Sequence, residues 1–581
     1  MDDHNHLIAL FAAMFSISSR FSSTSPDGPA EADSSGKPPH LEFHHISLKY
    51  ISVSLEACSN SVPSLCLLQA MTLAGFYKLA TGVYGPAWRL VGSAIRVAYE
   101  LRLHLIDYEG LVEAPASESE LRAWSLNEER RRCWWALWEM DIFASTIQRA
   151  PTAIDRTMNE TCLPVSDDFW FVGRYQASCL LQGEPEERWR RLKASGNEDC
   201  FAWCIVLCSM MRDAQVLSHG NIQGIFSNLE PKNNVSKLVQ YFSHGHKRKS
   251  AEENSQQLAS LVRAYHALLD NLPEALRYQG ETLPFGLDGD GDVLESRRSC
   301  AAKYTIRMMG VSVHFMIYQN YVFTDIVDGI IPLSLFKAGE ESLGQFPSSY
   351  QAWTYRVGLK KFLDISETVL ELLENCPKDH VRYVSPYYAS TIWIAAALQI
   401  FRRIAVCDDN PITTQRKYTV LRETYLRFNQ DWGTPVALLQ NLDSLETRLK
   451  ARQQEIAASA GKELASQPSN QQPPRHEPKF PTGSDSRTVL EDQEQPINCP
   501  ADPGGLPLEN TWLFHDVAVP LIDSWSNSGE TVDWSAAAGS KGRLPLNHED
   551  WATALPDELM LDNFAWYSSD IMTELSQGYT T

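Results

Sequence analysis

No two of the twelve cysteines in this 581-residue chain stand three apart. The C-x-x-C pair that opens zinc ribbons and fingers is therefore missing. Most of these cysteines sit inside apolar runs, as buried reduced thiols of an intracellular protein do. No unbroken apolar run reaches the roughly 18 to 20 residues that cross a bilayer, so no membrane attachment is expected. The segment LIALFAAMFSIS from Leu7 follows MDDHNH, which is acidic where a secretory leader carries positive charge, so no leader is expected either.

Catalytic signatures are equally scarce. There is no Gly-rich phosphate loop, no G-x-S-x-G and no H-E-x-x-H. The Asp-Asp pairs at Asp2, Asp167 and Asp408 lack the third Asp, at the fifth position, with which helical diphosphate-binding enzymes hold magnesium. DGDGDVLES from Asp288 places Val293 where a calcium loop needs Gly and Ser299 where it needs Glu. An all-α enzyme is left as a remote alternative; the expectation is that the chain is not an enzyme.

Positive charge is short as well. Fifty-one Lys and Arg face 72 Asp and Glu, a net charge of −21. Between Pro481 and Thr581, 17 acidic residues stand against Arg487, Lys541 and Arg543 alone, a local net of −14. Phosphate neutralisation needs a clustered positive surface, so non-specific nucleic-acid binding by this chain is disfavoured.

What the sequence does have is helical periodicity. Leu258, Leu261, Val262, Tyr265, Leu268, Leu269 and Leu272 share one helical face ahead of Pro273. Leu359, Phe362, Leu363, Ser366, Val369, Leu370 and Leu373 do the same ahead of Pro377. Sustained period-2 alternation is absent, and the expected class is all-α. The periodicity assigns residues 1–450 to a large multi-helix domain with loops at 22–40 and 243–257. Residues 451–510, rich in Gln, Pro and Ser, read as a disordered linker. Residues 511–581 form an acidic-hydrophobic tail.

EERRRCWWALWEMD, from Glu128, sets arginines against tryptophans, a mixture that also occurs on nucleic-acid surfaces. On a helix, however, Cys133, Leu137 and Met140 make one apolar stripe, Trp134, Trp138 and Ile142 a second, and Ala136, Phe143 and Ala144 fill much of the rest. Such a helix belongs in a core. The arginines of its first turn are expected to pair with Glu128, Glu129, Glu139 and Asp141. Cys200, Cys204 and Cys208 recur every fourth residue on one helical face; three zinc ligands from one straight helix are unusual, so core packing is expected.

The order of these blocks resembles the regulatory middle domain of fungal zinc binuclear cluster transcription factors. Leu68 to Ala74 resembles that family's Gln-Ala helix, and Ala98 to His104 its Ala-x-x-Leu-Gly-Leu-His signature. Arg131, Arg132, Trp134, Trp135 and Asp141 match its Arg-Arg-x-x-Trp-Trp helix ending in Asp. Gln148, Arg149, Ala150 and Pro151 stand for its Gly-Arg-Pro turn, and Leu163 and Pro164 for its Leu-Pro. LLDNLPEAL from Leu268 and SPYYASTIWIAAALQI from Ser385 resemble the second half of the domain, extending the likeness over about Leu7 to Leu449. Two departures stand out: Arg102 replaces the usual Gly before Leu-His, and Ala150 intrudes between Arg149 and Pro151.

The resemblance implies a nuclear regulator of RNA polymerase II transcription acting on a pathway-specific gene set, such as secondary metabolism or nutrient use. It implies no cofactor in this chain, since the family's six-cysteine, two-zinc module is N-terminal and the first cysteine of this sequence is Cys58. DNA would be reached through such a module upstream of Met1 or through a partner. The alternative is a cofactor-like regulator without its own DNA contact, acting by heterodimerisation. Homo- or heterodimers with family members are expected; a small-molecule inducer would be unknown. In the tail, Trp551, Leu555, Leu559, Met560, Leu561, Phe564 and Trp566 among carboxylates are a candidate activation segment for a coactivator; the other reading is a tail packing back on the domain. Lys247, Arg248 and Lys249 are a candidate import signal.

Overall fold

The computed structural model of the chain describes residues 2–21, 38–58, 61–110, 114–148, 150–226, 251–286, 292–327, 350–406 and 411–466. The described residues lie within one compact unit, Met1–Lys462, apart from the last turn of the last helix. They form fourteen α-helices and no strand, with a lone antiparallel bridge between Cys162 and Leu180.

The first eight helices are α1 Asp2–Ser18, α2 Pro39–Ala57, α3 Leu65–Ala80, α4 Gly85–Glu100, α5 Glu118–Gln148, α6 Asp167–Trp170, α7 Pro185–Ala194 and α8 Cys200–Phe226. After them come α9 Ala251–Asp270, α10 Val293–Val327, α11 Tyr350–Glu374, α12 Tyr388–Phe401, α13 Pro411–Trp432 and α14 Ala437–Ser466. Local chemistry sets several starts. Ser64 accepts the amide of Leu67 to cap α3, Asp199 accepts that of Ala202 to cap α8, and α2, α4 and α7 carry Pro in the first turn, where no N–H is needed.

Three boundaries differ from the sequence reading. Helix α2 begins at Pro39, inside the expected loop 22–40. Helix α9 begins at Ala251, so residues 251–257 of the expected loop 243–257 are helical. Helix α14 continues to Ser466, so residues 451–466 of the expected linker are helix. AEENSQQ and ARQQEIAASAGKELAS are rich in Ala, Glu, Gln, Lys and Arg, whose helix propensity carries a helix past the end of its apolar stripe. The first proline after Lys450 is Pro468.

Helix α1 packs on α2 and α3, α3 and α4 pack on α5, and α8 packs on α5, α7, α9 and α10. Helices α10, α11, α12 and α13 continue the body. The predicted faces are the buried ones: Leu258, Leu261, Tyr265 and Leu268 on α9, and Phe362, Leu363, Val369 and Leu370 on α11. In α8, the stretch Cys200–Leu217 has a mean hydropathy of 1.4 and the length of a membrane span, although Arg212 and Asp213 break the run that a count of unbroken apolar residues looks for. Sixty-seven per cent of it is buried within the fold, as in the central helix of a compact domain.

Candidate functional site

Helix α5 organises the interior. Trp134 and Trp135 are fully buried, and their indole N–H groups donate to Asn159 Oδ1 (2.8 Å) and to the Cys162 carbonyl (2.6 Å). The arginines are not a nucleic-acid surface. Arg131 forks onto Asp107, with Nη2 to Oδ1 at 2.6 Å and Nε to Oδ2 at 2.9 Å, and reaches Glu128 at 3.3 Å. Burial alone would lower its pKa, but the hydrogen bonds and charges of Asp107 and Glu128 outweigh that and raise it. Arg132 bonds Glu128 (3.2 Å), Asp167 and the Val165 carbonyl, and lies over the Trp170 ring.

These contacts stitch the chain after α5 back onto it. Asp107 also accepts the amide of Cys162 (2.8 Å), and Glu128 that of Val165 (2.9 Å). Asp141 pairs with none of the described arginines, contrary to expectation; it accepts the amides of Ala153 (3.2 Å) and Ile154 (2.8 Å) and the hydroxyl of Ser145 (3.3 Å). Glu129 likewise accepts from Gln69 (2.7 Å). The turn between them is held by Ser145 on the Pro151 carbonyl (3.3 Å) and Arg212 on that of Ala150 (2.9 Å). Leu163 and Pro164 are buried. Arg102, the residue in the place of a family glycine, adopts a left-handed conformation at the end of α4, φ 54° and ψ 37°, which explains a preference for glycine there. Arg149, the import signal Lys247 to Lys249 and the tail residues Trp551 to Trp566 lie outside the described residues.

A second site lies along the second half of α5. A cavity of about 60 Å³ opens among α5, α8, α10, α12 and the start of α14. Phe143, Met211, Met309, Phe315, Met316 and Ile394 give it apolar walls. Most hydroxyls around it are satisfied: Ser312 with Thr391 (2.9 Å), Thr146 with Gln215 (3.2 Å) and Ser390 with the Tyr387 carbonyl (2.7 Å). Two polar groups are not. Glu139, half-buried by its exposed surface, makes no hydrogen bond or ion pair to any described residue, and the desolvation it does undergo pushes its carboxyl up to about 7. The buried hydroxyl of Tyr387 has no hydrogen-bond partner among the described residues. The expectation that Glu139 pairs with the arginines fails on geometry: they occupy the first half of α5, and Glu139 points into the cavity from the second. The available signal was a lone carboxylate in the apolar run CWWALWEM; Tyr387 and Asp107 gave none.

Among the described residues, one group could hold a metal: Glu139, Cys204 and Cys208, whose ligand atoms lie within 4.8 Å of one another. Metal binding requires thiolates. In this group the Cys204 side chain and burial hold the Cys208 thiol well above its usual pKa, and Cys208 lies 3.8 Å from the Met309 sulfur. The donor set suits packed thiols better than an ion.

Comparison with known proteins bears on the whole arrangement. Residues 2–273 match the family described as fungal specific transcription factor domain. The pigment biosynthesis transcriptional activator pigB of Monascus ruber is 22 % identical over 166 residues, covering 28 % of this chain and 29 % of its own. The Zn(2)-C6 fungal-type transcription factor FTF1c of Fusarium oxysporum f. sp. lycopersici is 29 % identical over 125 residues, 21 % of this chain and 13 % of its own. The ascochitine biosynthesis cluster transcriptional regulator of Didymella fabae is 26 % identical over 168 residues, 26 % of this chain and 28 % of its own. The chain thus spans less than a third of the length of each. No solved structure matches. These relatives are named as transcription regulators and not as enzymes.

Proposed function

We infer, from the fungal specific transcription factor domain that this chain carries at residues 2–273, that it regulates RNA polymerase II transcription of a pathway-specific gene set in the nucleus. Secondary metabolism is the favoured class, because two of the relatives are named for a pigment and an ascochitine biosynthesis pathway. The observation that carries the reading is the family match together with the buried wiring of α5, which makes the motif arginines structural. DNA contact then falls to a zinc cluster upstream of Met1 or to a dimer partner from the same family. Residues 511–581 act as the activation segment, engaging a coactivator through Trp551, Leu555, Leu559, Phe564 and Trp566.

Deleting the gene and profiling transcripts under inducing conditions tests the reading: a coordinated fall in one gene set is expected, and an unchanged profile would count against it. Fusing the chain to a foreign DNA-binding domain tests the tail. Reporter activation should disappear when residues 545–581 are removed, and activation that persists sinks the assignment of the tail.

A further inference from the structure

The cavity beside α5 combines features that packing alone does not require. Withdrawing a carboxylate from water is costly unless it is paired, and Glu139 is half withdrawn, keeping part of its surface exposed. Glu139 is paired with nothing among the described residues, and no described Lys, Arg or His lines the cavity. The ionisable groups that face it are the thiols of Cys200, Cys204 and Cys208 on α8 and the phenols of Tyr387 and Tyr388 ahead of and at the start of α12, none of them a cation.

Positions 139 and 143 are neighbours on one helical face, so the carboxylate lies beside the Phe143 ring, which stacks on Tyr387 at 3.9 Å between centroids. An aromatic pair beside a carboxylate is an environment for a cation, which gains from both the charge and the ring faces. The Tyr387 hydroxyl adds an unused acceptor. The remaining wall is thioether and aromatic: Met211, Met309, Met316 and Phe315. Methionine side chains repack around guests of different shape, so the present volume, room for a few waters at roughly 10 to 15 Å³ each, does not fix the size of the guest.

We propose that this cavity binds a small, largely apolar molecule carrying one protonated amine, with its ammonium on Glu139 and Tyr387 and its hydrocarbon body among Phe143, Met211, Met309 and Met316. No bond is made or broken. At about pH 6 the free carboxyl is mostly protonated, since burial pushes it up to about 7, and an arriving ammonium ionises it, so that a proton is released on binding.

The site stands on the cavity and not on the transcription reading. A chain that binds amines while transcripts stay unchanged on deletion keeps the site and loses that reading. The test is titration calorimetry of the full chain with phenylethylamine and phenylbutylamine, against phenylbutanol and phenylbutyrate as matched neutral and anionic probes. At least one amine is expected to bind with Kd below about 1 mM and about tenfold or more tighter than the alcohol. Runs at about pH 6 in two buffers of different ionisation enthalpy should show the released proton. Glu139→Gln should remove the amine's advantage while leaving the alcohol's affinity in place. The proposal is overturned if neither amine binds, if amine and alcohol bind alike, or if Glu139→Gln holds the amine as the wild type does. Should that variant not fold, the ratio of amine to alcohol affinity in the wild type decides alone.

Discussion

Tyr387 lies flat against Phe143, ring planes 13° from parallel, and so joins the residue ahead of α12 to the middle of α5. Phe143 falls within the family match at residues 2–273, and Tyr387 lies more than a hundred residues beyond its end. The matched segment therefore does not close its own core. Helix α8, inside the match, packs against α10, outside it. A fragment of residues 1–273 should accordingly be soluble only as a loosely packed species, with strong binding of a hydrophobic dye and weak near-ultraviolet dichroism. A fragment ending after α14, at residue 466, should show neither symptom. Native-like dichroism from the short fragment would refute this account of the core.

The Arg131 fork on Asp107 supports a second prediction. Both partners are buried, and Glu128 beside them is buried too. Removing one member of a buried pair leaves an uncompensated charge and costs about 3 to 5 kcal/mol. Arg131→Met should therefore lower unfolding stability by about that much, measured by urea denaturation. If the chain is assayed with whatever module or partner supplies its DNA contact, its sequence preference should not change. A variant as stable as the wild type but altered in DNA affinity would return α5 to the surface.

Arg102 supports a third. A side chain in the left-handed region costs roughly 1 kcal/mol relative to glycine, which adopts it freely. The N–H of Arg102 bonds the Tyr99 carbonyl at 3.0 Å, and its own carbonyl accepts from Leu105 at 3.1 Å, so the turn survives loss of the side chain. Arg102→Gly should stabilise the domain by about 0.5 to 1 kcal/mol in urea denaturation. A loss of stability would mean that the guanidinium makes a contribution larger than the backbone strain.

Much of this was legible in the sequence, and the part that was not has a common physical origin. The apolar faces at Leu258 to Leu268 and Phe362 to Leu370 follow from helical periodicity, which is local. That α5 is buried follows from its being apolar nearly all round. The partners of its charged residues do not follow, because pairing depends on chain brought back from elsewhere: Asp107 from the loop after α4 for Arg131, and the amides of Ala153 and Ile154 for Asp141. Sequence proximity pointed Glu139 and Asp141 at the arginines, and the long rise of α5 separates them. The extra turns of α9 and α14 leave no apolar signal, because their composition is polar and propensity rather than burial extends them.

Glu139 carries the last prediction, which needs no ligand. Its carboxyl titrates near 7 in the folded chain against 4.5 in a free one, so the folded state holds a proton that the unfolded state has released across that interval. Stability from this group is therefore fully present below about pH 4.5 and is lost as pH rises towards about 7, by up to about 3 kcal/mol. Asp199, which burial also pushes up to about 7, falls in the same window and adds to the slope in the wild type. Glutamine at position 139 cannot ionise, while every other carboxylate stays in place, so the difference between the two proteins isolates the one group. Urea denaturation at a series of pH values should find Glu139→Gln and wild type of similar stability near pH 4. Near pH 8 the variant should be more stable by about 1 to 3 kcal/mol. Curves that run parallel across the whole range would mean that Glu139 is solvated or paired in solution, and the carboxylate would then not be waiting in the cavity for a cation.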